Sequence, residues 1–485
     1  MASTSEKSSV KLDFTNFSNV IDGKCVAASP GMGRCTVNPS TLEKNPEVPI
    51  TTCEDVDRAV SAARKVAGAW ASLSWKDRQT TLSEYIDAVE ANSEGFAKVV
   101  VREQGKTLNE ARGEVYLGVK CLRGTIALEL PEGEELDHNE QRRVVKRYTP
   151  LGVAVGIVPR LVAALLTGNT FILKPSPFTP YCSLKGSYAN SLKLAELGTH
   201  FLPPGVLQAL SGEDDLGPLL TSHAGVNVFT FAGSIATGKR IMESCSKTMK
   251  RVILELGGND PTIVCPDVDI ATTAPAIACI AFANSGQICM SPKRVYVHES
   301  IYDDFLAAMV EYANKLKLTT DEVNAIGPIS NKTQFESVKS LLADAKADKL
   351  AIAAGGTQPP ADSSRPGFYL LPTLIDNPPD TARVVVEEAF GPIVPVMRWS
   401  NEKEVIERAN DSEYGLGASV WSRNATQANR MARELQAGSI WINTHSERDA
   451  EFPFGGMKNS GIGHAGGLEG LASYCNLQTI WSKLD

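Results

Sequence analysis

The sequence predicts an α/β protein of more than one domain. The chain has 485 residues, well past the length at which single hydrophobic cores stop growing. Hydrophobic residues make up 43% and charged residues 21%, a balance that suits large packed cores rather than disorder. From about residue 153 onward, short apolar runs alternate with segments of helical period. That is the pattern of a doubly wound parallel sheet with covering helices.

The elements follow in order. After a polar start, Thr51-x-x-Glu54 has the form of a capping box, and Val56, Ala59, Val60 and Ala63 recur at helical spacing. Further amphipathic helices are predicted over residues 76–103 and 109–130. Near Pro131 the texture turns polar, and the following segment reads as a strand, a turn at Thr149-Pro150 and a second strand. Strands are predicted at 153–158, 171–174, 207–210, 226–231, 251–254 and 262–265. A second alternating series runs from about 267 to 455, with strands at 294–298 and 393–397 and helices at 302–316 and 400–409. A Gly-rich stretch and a short tail end the chain. Two α/β units plus a tail result, without an internal repeat.

Charge and cysteine usage narrow the function classes. A net charge of -8 makes the chain a poor general binder of nucleic acid or anionic membranes. The basic cluster Arg142, Arg143, Lys146 and Arg147 lies in an alternating stretch and reads as a solvated strand face. Ten cysteines include no Cys-x-x-Cys pair, and a chain this long does not need a disulfide scaffold, so a reduced, intracellular protein is expected. The scattered histidines and cysteines form no metal-ligand pattern, so no metal is expected. The first residues lack the apolar core of a signal peptide, and no apolar run is long enough to span a bilayer. Ser482-Lys483-Leu484 would be a peroxisomal signal only at the terminus, and Asp485 follows it. The expected location is the cytoplasm.

Several segments could carry chemistry. Cys289 follows the apolar segment 271–284, which is expected to close as a helix at Ser285-Gly286 through a positive φ at Gly286. A loop cysteine just before a strand can be partly exposed and surrounded by backbone N–H groups, which favour the thiolate. Any single cysteine is more often an inert core residue. Glu255, in Leu254-Glu255-Leu256-Gly257-Gly258, sits in an apolar strand, where burial would raise its pKa towards the range of a general base. A strand-end carboxylate reaching solvent is the ordinary alternative. Gly233, Ser234 and Gly238 lie in a turn between an apolar strand and a helix, where backbone N–H groups and the helix dipole can hold a phosphate. That turn departs from Gly-x-Gly-x-x-Gly. Lys174 and Ser176, in Lys-Pro-Ser-Pro, could face a ribose or phosphate, or could simply be surface residues beside a turn. Glu388 and Phe390 lie at the bend Glu-Ala-Phe-Gly-Pro, and residues 453–463 form a loop rich in glycine.

In order, Lys-Pro-Ser-Pro, Gly-Ser-x-x-x-Gly, Glu-Leu-Gly-Gly, Gly-Gln-x-Cys, Glu-x-Phe-Gly-Pro and Pro-Phe-Gly-Gly-x-Lys-x-Ser-Gly resemble the aldehyde dehydrogenase superfamily from about residue 20 to 480. The resemblance implies a Rossmann-like cofactor domain (1–130 and 150–257), an α/β catalytic domain (258–463) and a small β oligomerisation element (131–149 and 464–485). It implies a homodimer or homotetramer, and NAD or NADP as cofactor. In the matching pattern Cys289 attacks a small-molecule aldehyde and Glu255 activates the water that hydrolyses the acyl-enzyme, which divides one hard oxidation into two easier steps. Lys174 and Ser176 match cofactor-ribose contacts, Gly233 and Ser234 the pyrophosphate turn, and Glu388 and Phe390 nicotinamide-ribose contacts; Gly238 and Gly257 are further cofactor-binding positions.

Three departures stand out. The family's Trp-Asn-Phe-Pro-type segment, whose Asn donates to the oxyanion, is missing after residue 159, and the connection is short by roughly ten residues, about three turns of helix. That leaves the Cys289 backbone N–H as oxyanion donor, and losing one such donor typically costs about 10²–10³ in rate. The missing helix would also uncover the sheet and disturb a wall of the cofactor site. Ser183-Leu-Lys185 recurs as Ser191-Leu-Lys193, which reads as an insertion. A deletion and an insertion this close imply a diverged cofactor site or an error in the coding sequence. Pro177 stands where NAD-preferring members often carry Glu, so NAD and NADP both stay open. Two alternatives accompany the aldehyde dehydrogenase reading. One is a catalytically silent relative acting as a binding or oligomer partner. The other is a non-redox thiol hydrolase or acyl transferase, although no papain-like cysteine signature is present.

Overall fold

The computed structural model describes residues 10–26, 33–157, 161–181, 191–322, 325–357 and 366–484. Residues 158–160 of the shortened connection and the repeated segment up to residue 190 lie outside the described residues, as does Asp485.

Two large sheets organise the chain. The first has eight strands, ordered Lys24–Val26, Asn19–Ile21, Leu207–Ala209, Thr170–Leu173, Val153–Ile157, Val228–Ala232, Arg251–Glu255 and Gly461–Ile462. Its five central strands are parallel. Across the sheet they run third, second, first, fourth and fifth in chain order, so the order reverses between Val153–Ile157 and Val228–Ala232. In open α/β sheets, ligands bind beyond the carboxyl ends of the strands at such a reversal. The three outer pairings, Val20↔Cys25, Val20↔Ala209 and Glu255↔Gly461, are antiparallel.

The second sheet has seven strands, ordered Ala351–Ala354, Thr373–Asp376, Ile393–Trp399, Pro292–His298, Asp260–Val264, Gly417–Trp421 and Ser439–Ile442. Only Ala351–Ala354 is antiparallel to its neighbour. The chain passes from Glu255, at the carboxyl end of a first-sheet strand, to Asp260, at the start of a second-sheet strand. The C-terminal edge of one sheet thereby faces the N-terminal edge of the other.

A third sheet pairs Cys475–Lys483, Arg142–Pro150 and Glu134–His138, all antiparallel. The expected turn at Thr149-Pro150 does not form. The strand continues through Pro150 because the C-terminal strand supplies its partner, Cys475↔Pro150. Gly152, at φ 123°, then takes the chain into the first sheet. The basic cluster is solvated but divided between the two faces of its strand rather than gathered on one, because adjacent strand residues point to opposite sides: Arg142 pairs with Asp137 at 2.6 Å and Arg143 with Glu135 at 2.7 Å.

The N-terminal helices differ in detail from expectation. The first spans Cys53–Ala71, and its capping box is Thr52 with Asp55, one residue later than predicted. The predicted 76–103 helix is two, Trp75–Ala91 and Ser93–Gln104. Asn92 breaks it: its side chain donates to the Ala88 and Val10 carbonyls and accepts from Leu12 N–H, which ties the N-terminal segment to the break. The third, Leu108–Ala127, opens on a capping box of Thr107 and Glu110. After the shortened connection, the helix Leu161–Leu166 is buried at every position. Among the described residues no helix is long and apolar enough to cross a membrane.

Candidate active site

Glu255 ends its strand at 7% exposure. Two residues on, a β-carbon at Gly257 would stand 2.3 Å from Glu388 Oε2. At Gly258, a β-carbon would stand 2.3 Å from the Cys289 carbonyl oxygen and 2.8 Å from Asp260 Oδ1. The Gly233 N–H donates to the Glu255 carbonyl at 3.1 Å. Segments that are far apart in the sequence, around residues 233, 255–258, 289 and 388, therefore meet at one place. At 258 a side chain would run into the Cys289 backbone, whereas at 257 it would meet the movable carboxylate end of Glu388.

The loop that brings Cys289 there is unusual. The preceding helix, Ile270–Phe282, ends three residues before the expected closure. Asn284, Ser285 and Gly286 then all take left-handed backbone angles, φ 52°, 58° and 70°. Two of these are not glycine, so the conformation is strained. It is held by hydrogen bonds: Ser285 Oγ donates to the Gly327 carbonyl at 2.6 Å and Asn284 Nδ2 to the Gln287 carbonyl at 2.9 Å. A β-carbon at Gly286 would stand 2.2 Å from the Gly391 carbonyl oxygen, so this loop packs backbone to backbone on the Phe390-Gly391-Pro392 bend. Cys289 is half-buried. Burial pushes the Cys245 thiol up to about 11 and those of Cys265 and Cys475 up to about 12, which keeps these three protonated and inert.

Three groups that the sequence reading did not single out brace this place. Ser460, in the C-terminal glycine-rich motif, donates its hydroxyl to the Gly257 carbonyl at 2.6 Å and accepts Leu256 N–H on its own carbonyl at 2.8 Å. The following pair Gly461–Ile462 lies antiparallel to Leu254 and Glu255. The buried Lys293 donates to the Gly286 carbonyl, with its ammonium 5.5 Å from the Phe390 ring centre. Tyr414 accepts Glu388 N–H at 3.4 Å, and burial pushes its phenol up to about 12, so it stays neutral. A buried lysine at the start of an apolar strand was a legible signal; the Ser460 and Tyr414 pairings were not.

The remaining predicted residues line the carboxyl edge of the first sheet. Ser234 caps the helix Ile235–Ser246 by accepting Thr237 N–H at 3.3 Å. Gly233 and Ser234 are exposed at this helix N-terminus. Gly238 is buried, and a β-carbon there would meet the Leu256 side chain at 2.6 Å. Lys174 and Ser176 follow the strand Thr170–Leu173, which flanks Val153–Ile157 on the side opposite the Gly233 turn. Lys174 is 3% exposed. Burial holds its amine down to about 8, and the nearby Arg34 guanidinium adds to the effect. Arg34 itself donates to the Pro177 carbonyl at 2.6 Å.

Comparison with known proteins agrees with this arrangement. The model of the aldehyde dehydrogenase family matches residues 28–480. Aldehyde dehydrogenase LUC3 of Fusarium sp is 39% identical over 475 residues, covering 97% of this chain and 99% of that protein. Among solved structures, betaine aldehyde dehydrogenase from Staphylococcus aureus in complex with NAD+ superposes with a TM-score of 0.92 at 29% identity, covering 99% of this chain and 98% of that one. A point mutant of an aldehyde dehydrogenase from Bacillus cereus superposes at 0.91 with 31% identity, covering 98% of this chain and 100% of that one. With this likeness running the length of both sheets, the chain belongs to the aldehyde dehydrogenase family and is an enzyme that oxidises aldehydes.

Proposed function

We propose that Cys289 is the nucleophile and Glu255 the general base in oxidation of an aldehyde to a carboxylic acid with NAD or NADP. The observation that carries this is the approach of the Gly258 backbone to the Cys289 carbonyl, which brings the loops of both groups together. The residues present fit a dinucleotide. An exposed helix N-terminus at Gly233 and Ser234 suits a pyrophosphate, with Gly238 buried in the first turn of the same helix behind it. Lys174 and Ser176 would hold the ribose beside it, and Gly257, Glu388 and Phe390 would hold the nicotinamide side. When bound, NAD(P)+ supplies the hydride acceptor.

The chain's own groups do the rest. The Cys289 thiolate adds to the aldehyde carbon, and its backbone N–H donates to the oxyanion that forms. Loss of hydride leaves the acyl group on sulfur as a thioester. The Glu255 carboxylate takes a proton from water as the water oxygen attacks the acyl carbon, and the thiolate leaves. Residues 1–130 and 150–257 act as the cofactor-binding domain and 258–463 as the catalytic domain. Residues 131–149 and 464–485 act as the oligomerisation element of a cytoplasmic homodimer or homotetramer. The test is NAD(P)H formation from a panel of simple aldehydes, abolished in Cys289→Ala. A protein that binds NAD(P)+ but reduces it with no aldehyde would overturn the reading. So would Cys289-dependent ester hydrolysis without cofactor binding.

A further inference from the structure

Cys289 and Met290 are the central pair of a tight turn. Ser291 donates to the Ile288 carbonyl through its N–H at 3.4 Å and its hydroxyl at 3.1 Å. The Met290 carbonyl leaves this turn and receives two side-chain hydrogen bonds from one distant loop. Ser446 Oγ donates at 2.6 Å, and His445 Nε2 lies at 3.1 Å. A carbonyl oxygen only accepts, so His445 carries a proton on Nε2. On the other side of the ring, Nδ1 lies 2.8 Å from the Ser419 hydroxyl oxygen.

The setting is built for an imidazole rather than for any aromatic ring. The His445 side chain is 0% exposed, with Asp260 Oδ2 3.6 Å from Nε2. Its ring lies on Trp441, with centroids 4.8 Å apart. Ser419 is fixed in turn by the Trp421 indole N–H at 3.1 Å. The loop that presents both donors is strained, with Asn443 at φ 57° and Ser446 at φ 64°. It is held in place because Asn443 donates to the Ser422 carbonyl and accepts its N–H, each at 2.9 Å. Non-glycine residues persist in this region only when their surroundings over-determine them, and such residues cluster at functional sites.

We infer that His445, together with Ser446, is a positioning residue: by pinning the Met290 carbonyl it fixes the turn that aims the Cys289 sulfur and backbone N–H at the aldehyde. The inference rests on Cys289 being the nucleophile. It matters more in this sequence, where the family's asparagine donor is absent and the Cys289 N–H serves the oxyanion. A misplacement of about 1 Å at a reacting group can lower the rate by about 10²-fold.

Three substitutions separate the hydrogen bond from packing. His445→Phe keeps a ring without a donor. His445→Gln places an amide nitrogen where Nε2 stands, and His445→Asn places one where Nδ1 stands. We expect His445→Phe to lower kcat by about 10²-fold, with KM and the Kd for NAD(P)+ unchanged, and to slow alkylation of Cys289 by iodoacetamide in the absence of aldehyde. His445→Gln should recover most of the loss, and His445→Asn should not. Should His445→Phe fail to fold, Ser446→Ala removes the other donor to the same carbonyl and should give the same kcat-only effect. Wild-type kcat in folded His445→Phe, or Gln and Asn variants that behave alike, overturns the inference. Cys289→Ala, measured alongside, keeps the two readings distinct: activity in that variant overturns the nucleophile itself.

Discussion

Gly258 and Cys289 face each other through backbone alone: a β-carbon on Gly258 would stand 2.3 Å from the Cys289 carbonyl oxygen. Gly258→Ala must therefore push the Cys289 turn away from the Glu255 strand. Overpacking of this kind costs about 1–3 kcal/mol. The expected result is a lower Tm together with a kcat loss that exceeds what the stability change alone would cause, read by thermal unfolding and steady-state kinetics. Gly68, inside the helix Cys53–Ala71, is the control, since nothing lies within 4 Å of a β-carbon there. Gly68→Ala should stabilise the protein by about 0.5–1 kcal/mol and leave kcat alone.

Glu255→Gln should separate the two halves of the proposed reaction. The glutamine keeps the shape of the buried strand end but accepts no proton from water. Thioester formation should continue while its hydrolysis slows by about 10²–10⁴-fold, the usual worth of general base catalysis. Stopped-flow absorbance would show a burst of NAD(P)H close to one per active site, followed by a slow steady state. A variant with no burst at all would place Glu255 before acylation instead.

Lys174 sets a pH dependence. Its amine is held down to about 8, chiefly by burial, against an ordinary value of 10.5. Between these two values the unfolded chain binds more protons than the folded one, so the burial penalty is fully present below about pH 8 and is relieved as pH rises towards 10.5. Stability should therefore gain a rising component across that window. Affinity for NAD(P)+ should move the other way, because the cation that would face the ribose is lost as pH passes 8. Fluorescence titration of NAD(P)+ from pH 6.5 to 9.5 should show Kd rising in the wild type. In Lys174→Met, Kd should be weaker and flat over the same range.

What the sequence disclosed and what it concealed divide along physical lines. Strand-forming runs such as 251–254 and 393–397 appear within a residue or three of their predicted places, because a strand buried on both faces is a local apolar run. The positive φ at Gly286 was readable, since only glycine takes it freely. The left-handed Asn284 and Ser285 were not, because their conformation depends on Gly327 and Gln287, partners outside the helix they end. His445 looked like one of six scattered histidines, and its meaning depends on Met290, 155 positions away. Ser460 could be seen as part of a motif, but its pairing with Gly257 lies 203 positions distant. The break at Asn92 escaped notice because the hydrophobic period runs through it, and only the Val10 and Leu12 backbone shows why the chain stops there.

The three-stranded sheet offers the last prediction. Its C-terminal strand Cys475–Lys483 leaves Leu477 62%, Ile480 41% and Trp481 65% exposed. Successive side chains of a strand point to opposite faces, so Ile480 is exposed on one face while Leu477 and Trp481 are exposed on the other. Apolar side chains uncovered on both faces of one strand are unusual for a monomer and fit a surface that another subunit covers. Arg142 stands 5.2 Å over the Trp481 ring, which holds the indole in place before any partner arrives. Trp481→Asp would set a carboxylate in that apolar patch and leave the Cys289 and Glu255 loops untouched. Size-exclusion chromatography with light scattering should show a homodimer or homotetramer for the wild type and a smaller species for the variant. An unchanged mass in Trp481→Asp, or a monomeric wild type, would remove this sheet from the assembly.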